Sequence, residues 1–229
     1  MRRVSLTAVV ALLVVSSGCV GLITGETVEF EASEASVGDS SLDSTGYELN
    51  NYTEREVTRD VSFLGQERTI RIVNQVNRYT KDGTLANATG NETLARAVER
   101  GQTNATSVPD LARFVVVSSP GAKVLGQPLN PAAGWSNQRI FEEVAGQTGQ
   151  LNNLEQDGSR TTESLGDSRN VTEFTATTQI EGREVDVRAH VTSFEHEGDI
   201  VIAVGVHPEQ MDEGENVDEL IGGIEHSGN

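Results

Sequence analysis

The stretch "VTEFTATTQIEGREVDVRAHVTSFEHEGDIVIAVGVHP", Val171 to Pro208, decides the fold. Phe174, Ala176, Thr178 and Ile180 alternate with Glu173, Thr175, Thr177 and Gln179, the period of two that turns one set of side chains inward and the other outward. Glu181-Gly182 turns the chain, and Val185, Val187, Ala189 and Val191 then alternate with Glu184, Asp186, Arg188 and His190. Phe194 breaks that parity, which predicts a bulge near Thr192. Glu197-Gly198-Asp199 makes the next turn. Ile200 to Val206 is almost continuously apolar, as a central strand is. Further on, Asn216 and Glu219 have the spacing of a capping box, and Val217, Leu220, Ile221 and Ile224 share one helical face. The expectation is a three-stranded meander followed by a helix.

Upstream, Thr27 to Ala32 alternates as a first strand would, and Ala35 to Gly46 is small, polar and loop-like with room for one helical turn. Tyr52 to Tyr79 reads as a long hairpin about Leu64-Gly65-Gln66. Thr80 to Pro109 is weakly patterned, with Leu94 and Val98 marking a short helix in an otherwise loop-like region (80–109). Leu111 to Ser119 carries the apolar run "FVVVSS" and stops at Pro120-Gly121. Ser136 stands as an N-cap, with Trp135 and Ile140 in the two staple positions, so a helix is expected over Asn137 to Gly146. Strands in runs with few helices argue for an α+β domain over residues 26–229. The form expected is a single antiparallel sheet with helices packed on one face and water on the other.

The composition narrows the partners. Acidic residues number 35 against 17 basic ones, for a net charge of -18, and only Lys81 and Lys123 are lysine. Nucleic acid is excluded as a partner, because binding it takes Lys and Arg to displace counterions. The charge is interspersed rather than gathered in a tail, and it reads as adaptation to high salt, where carboxylate repulsion is screened. No cofactor is expected.

At the N-terminus, Arg2 and Arg3 precede the apolar run Val4 to Val15, followed by Ser16, Ser17 and Gly18. That run is too short to span a bilayer and reads as a secretory signal peptide, residues 1–18. Ser17-Gly18-Cys19 resembles the lipobox of prokaryotic lipoproteins, with Ser16 departing from the usual aliphatic residue, and the twin arginine resembles a Tat signal. The resemblance implies lipidation of Cys19, the chain's one cysteine. Residues 19–25 would then be lipidated cysteine and short tether, with the membrane as partner and the extracytoplasmic face as location.

Two wider resemblances follow from these residues. The order of strands, long hairpin, helix opened by "NPAAGWSNQRIFEEV", meander and closing helix resembles the fold shared by Mog1 and PsbP proteins. Together, Cys19, "STGYE" (Ser44 to Glu48), "VVSSPGAKVLGQPLNP", "WSNQ" and "HEGDIVIAVGVHP" resemble a family of haloarchaeal lipoproteins built on a single domain of unknown function. Neither resemblance carries an activity.

The candidate chemistry is thin. His190, His196 and His207 lie on consecutive expected strands, with Glu195 and Glu197 beside His196, but no spacing makes them converge, so they read as a polar face and no metal site is expected. Gly38-Asp39-Ser40-Ser41-Leu42 resembles an esterase motif without its strand or its histidine, and Gly166-Asp167-Ser168 repeats the triplet in a loop. No catalytic residues are therefore assigned. Sequons fall at Asn51, Asn87, Asn91, Asn104 and Asn170, candidates for glycosylation. The function expected is a noncatalytic binding or accessory module at a cell surface. The alternatives are an enzyme with its site on the polar sheet face near His190, or a structural envelope component.

Overall fold

A computed structural model describes residues 27–63, 66–102, 104, 106–124, 127–128, 130–148 and 151–228. The leader, Cys19, its tether and the hairpin tip at Leu64-Gly65 lie outside the described residues.

The meander is present and is longer than expected. Strands β9 (Asp167–Ile180), β10 (Arg183–His196) and β11 (Asp199–Pro208) run antiparallel in unbroken register. A further strand, β8 (Asn152–Ser164), precedes them. Its three turns, Leu165-Gly166, Glu181-Gly182 and Glu197-Gly198, each place both residues at positive φ. That is the mirror-image turn whose twist suits a two-residue hairpin. β11 pairs on its far side with β5 (Ser107–Pro120), which pairs with β4 (Gln66–Thr84). β3 (Glu48–Phe63) forms the long hairpin with β4, and β1 (Val28–Glu31) lies parallel to β4 where β5 has ended. The fold is α+β, but its main sheet is mixed rather than purely antiparallel, and β6 (Lys123–Val124) and β7 (Gln127–Pro128) form a separate two-stranded pair.

Both faces of the sheet are covered, which corrects the expectation of one solvated face. On one face, Ala112, Phe114, Val116, Val171, Val201 and Ala203 pack under the helix Gly214–Gly222 through Val217, Leu220 and Ile221. A small second sheet, β2 (Ala35–Val37) with β12 (Ile224–His226), closes the same face, pinned by Val37 N donating to Tyr79 Oη at 2.8 Å. On the other face, Phe174, Ala176, Val185, Val187, Ala189, Val191 and Val204 meet Ile140 and Phe141 of the helix Asn137–Thr148. Ser136 Oγ accepts from Arg139 N at 3.2 Å, the cap the sequence implied.

Two-sided burial also explains the absent bulge. β10 keeps its register from Val187 to His196. Phe194 simply belongs to the second face, where it packs beside the core and under the Arg169 guanidinium, 4.1 Å from its ring. The capping box at Asn216 and Glu219 is not formed either. The last helix begins at Gly214 after Glu213, and Asn216 Nδ2 donates back to Glu213 Oε2 at 2.8 Å. In the weak region, β4 runs on to Thr84, followed by two short helices, Leu85–Thr89 and Glu92–Glu99. Asp39–Thr45, where a loop with one helical turn is expected, is a helical segment packed against the last helix. In chain order the helices are α1 (Asp39–Thr45), α2 (Leu85–Thr89), α3 (Glu92–Glu99), α4 (Asn137–Thr148) and α5 (Gly214–Gly222).

Gly205 lets α5 sit this close. A Cβ built on it would meet Val217 Cγ2 at 3.0 Å and Cγ1 at 3.1 Å, with Phe114 at 3.5 Å. Gly205→Ala is expected to cost about 1–3 kcal/mol of stability, the usual price of overpacking. A lowered denaturation midpoint at unchanged slope checks it.

Candidate functional site

Two of the three singled-out histidines meet. Counting outward from the two-residue turn, His190 of β10 faces Gly205 of β11, so His207 is its diagonal neighbour on the same face. Their rings lie nearly end to end, with centroids 5.2 Å apart, planes at 16° and Nε2 to Nε2 at 2.9 Å. His190 is 1% exposed and His207 2%.

Neighbouring groups fix every proton. An Arg160 NH1 lies 3.0 Å from His190 Nδ1, and a guanidinium only donates, so Nδ1 accepts. His190 Nε2 therefore carries the hydrogen and donates to His207 Nε2. His207 Nδ1 donates in turn to the carbonyl of Pro208 at 2.8 Å. The result is a one-way chain of hydrogen bonds through two neutral imidazoles. Arg160 itself is gripped by Asp218 of α5, whose oxygens accept from Nε at 2.9 and 2.8 Å, and by Glu173. Arg188 joins the same cluster through Glu173 at 3.6 Å, and also pairs with Asp157 at 2.6 Å and Glu209 at 3.0 Å. β8 supplies Arg160 and Asp157, which gives this polar edge strand its place against the sheet.

Burial, reinforced by His207, Arg160 and Arg188, pushes His190 down to about 3. Burial likewise lowers His207. With all four ring nitrogens engaged and the rings enclosed, this pair offers no free base or ligand to a substrate.

His196 goes elsewhere. It lies edge-on to His226 of β12, with ring centroids 5.3 Å apart and planes at 88°. Glu197 Oε2 is 3.7 Å from His226 Nδ1, and Asp199 Oδ2 is 3.1 Å from His226 Nε2. His226 carried no sequence signal. It sits thirty residues beyond His196 with no motif between them, and only the pairing of β12 with β2 brings it back.

The remaining candidates fall into ordinary places. Ser41 is buried in α1 beneath α5, and Asp167 pairs with Arg169 at 2.8 Å at the β8–β9 turn. Trp135 packs beside the α4 core with Arg139 over its ring. Asn51, Asn91, Asn104 and Asn170 are exposed, and Asn87 lies within α2. Asn91 caps α3, its Oδ1 accepting from Leu94 N at 2.9 Å. No described helix is long and apolar enough to cross a membrane. An open groove of about 670 Å³ runs beside β1, bordered by Glu29, Glu31, Glu34 and Glu54 together with Tyr52 and Gln75.

The sign of the histidine effect on stability follows directly. An unfolded histidine titrates near 6.5, while folded His190 resists protonation to about 3. The unfolded chain therefore binds the extra proton between those values. The stabilisation is complete above about pH 6.5 and is lost progressively as pH falls toward 3. His190 alone is expected to remove about 2 kcal/mol by pH 5. Denaturation at pH 7.5 and pH 5 measures this loss, and His190→Gln is expected to flatten it.

The chain belongs to the DUF6517 family, a domain of unknown function whose family profile matches residues 34–225. No curated protein matches it. Among solved structures it is similar to the solution structure of cyanobacterial PsbP (CyanoP) from Synechocystis sp. PCC 6803. The identity is 12% and the TM-score 0.37, over 86% of this chain and 93% of that one.

Proposed function

We propose that this DUF6517 protein is a lipid-anchored, noncatalytic binding module on the outer face of a halophile's cell membrane, held through Cys19. The observation that carries the reading is the junction of anchor and groove. β1 enters the sheet nine residues after Cys19, and its Glu29 and Glu31 are part of the groove wall. Nine residues span at most about 30 Å, so the groove stays within short reach of the anchored cysteine.

The groove's chemistry supports a binding role. It is open and polar, and its carboxylates are steadied by fixed donors. Arg71 reaches Glu29 at 3.0 Å, Gln75 Nε2 donates to Glu31 at 3.3 Å, and Asn77 Nδ2 donates to Glu34 at 3.0 Å. A cationic segment of a partner protein suits such a surface better than an apolar metabolite, which needs an enclosed apolar cavity. The closed state of the His190–His207 pair fits a noncatalytic role as well.

Cell fractionation tests the anchor. The wild type is expected in the membrane pellet with a lipid mass on Cys19, and Cys19→Ser in the soluble fraction. A Cys19→Ser variant that still pellets, with no lipid on the wild type, overturns the reading. The halophile assignment predicts that the denaturation midpoint rises between about 0.5 and 3 M KCl, as added salt screens the repulsion among carboxylates.

A further inference from the structure

We propose that His196, Glu197 and His226 bind one divalent transition-metal ion of the zinc class, with Asp199 holding His226 in the ligating tautomer. The site adjoins the groove, whose lining includes Ser33 and Ser227, but takes no ligand from it, so it survives or fails independently of the anchor and of the groove's occupant.

Two distant segments converge on Asp199. Its Oδ2 accepts from Ser33 N, at the β1–β2 connection, at 2.8 Å. The same oxygen lies 3.1 Å from His226 Nε2, at the end of β12. An ionised carboxylate only accepts, so Nε2 carries the proton and Nδ1 is left with a bare lone pair. The His226 side chain is 0% exposed, and its Nδ1 has no hydrogen-bond partner. A buried acceptor left unmade is costly, and structures keep few of them. This one is aimed toward Glu197 and sits beside His196.

The donor set fits a metal. One ligand atom from each of His196, Glu197 and His226 lies within 4.8 Å of the other two. Bonds of about 2.0–2.1 Å in a tetrahedral site put ligand atoms about 3.3 Å apart, so closure needs side-chain movements of only about 1 Å. Glu197 is exposed at the hairpin tip, which leaves room for that movement and for a water in the fourth position. Two imidazoles and one carboxylate select Zn²⁺, Co²⁺ or Ni²⁺ over Ca²⁺ and Mg²⁺, which prefer oxygen ligands throughout. A carboxylate behind a ligating histidine is the usual partner that sets ring orientation and raises basicity. Asp199 stands in that position. Binding would tie the β10–β11 turn to the C-terminal strand β12.

The competing arrangement is an imidazolium at His226 held between Glu197 and Asp199 with no metal. Titration of the EDTA-stripped mature chain with Zn²⁺ alone separates the two. One Zn²⁺ per chain is expected, with a raised denaturation midpoint. His226→Ala and His196→Ala should each weaken binding at least about tenfold, and Asp199→Asn about 10- to 100-fold. Circular dichroism confirms that each variant is folded. Should His226→Ala not fold, Glu197→Gln, altered only at an exposed side chain, reads the same loss. Absence of stoichiometric binding, or binding unchanged in the folded variants, overturns the proposal. So does a His226 ring whose nitrogens are both protonated at neutral pH and whose NMR signals ignore Zn²⁺.

Discussion

β11 is buried on both faces, and the rest of the domain is arranged to keep it so. Its ten residues alternate between two cores, Val201 and Ala203 toward α5, Val204 toward α4. A strand of this kind needs partners on both edges and a layer above and below. β5 and β10 supply the edges; α5 with the β2–β12 pair, and α4, supply the layers. Apolar residues make up only 36% of the chain. Concentrating them around one central strand is how so acidic a sequence still builds a core, and it leaves the outer strands to be held by other means.

β8 shows what those other means are. It carries almost no apolar residues and is mostly exposed, yet it runs thirteen residues beside β9. Arg160 ties it to Glu173 of β9, to Asp218 of α5 and to His190 of β10. Replacing a partly buried ionic cluster of this kind by apolar groups is often neutral for stability, but removing one member is not, because the others are left unpaired. Its value here is positional. A one-residue slip of β8 would turn Arg160 to the opposite face and leave Asp218 and His190 without their donor.

The same contrast sets what could be read from sequence. β9, β10 and β11 announce themselves by period two and by X-Gly turns, because water on one side or core on both leaves a mark in composition. β8 leaves none, since its inward face is Arg160 rather than Val or Ile. β1 pairs in parallel with β4, a choice made by the chain's path and not by any pattern within Val28 to Glu31. The supposed bulge at Thr192 followed from assuming that only one face was buried. The meeting of His190 with His207 was in principle legible, since a two-residue turn at Glu197-Gly198 sets the register that joins them. The meeting of His196 with His226 was not, because it depends on β12 pairing with a strand nearly two hundred residues earlier.

Why the buried histidines stay neutral is settled by comparing opposed effects. The Pro208 carbonyl and the carboxylates of Glu213 and Asp212 favour a proton on His207, whereas Arg160 and Arg188 oppose one on His190. Desolvation is nevertheless the largest influence on both rings, and it opposes charge. Geometry adds a second barrier. A proton on His190 Nδ1 would point at the Arg160 donor, and a proton on His207 Nε2 would point at the hydrogen already shared from His190. Either would break the chain of hydrogen bonds at a place where water cannot enter to mend it. The arginine that holds β8 in register is thus also the group that dictates the tautomer of both histidines, so strand placement and proton placement are one constraint.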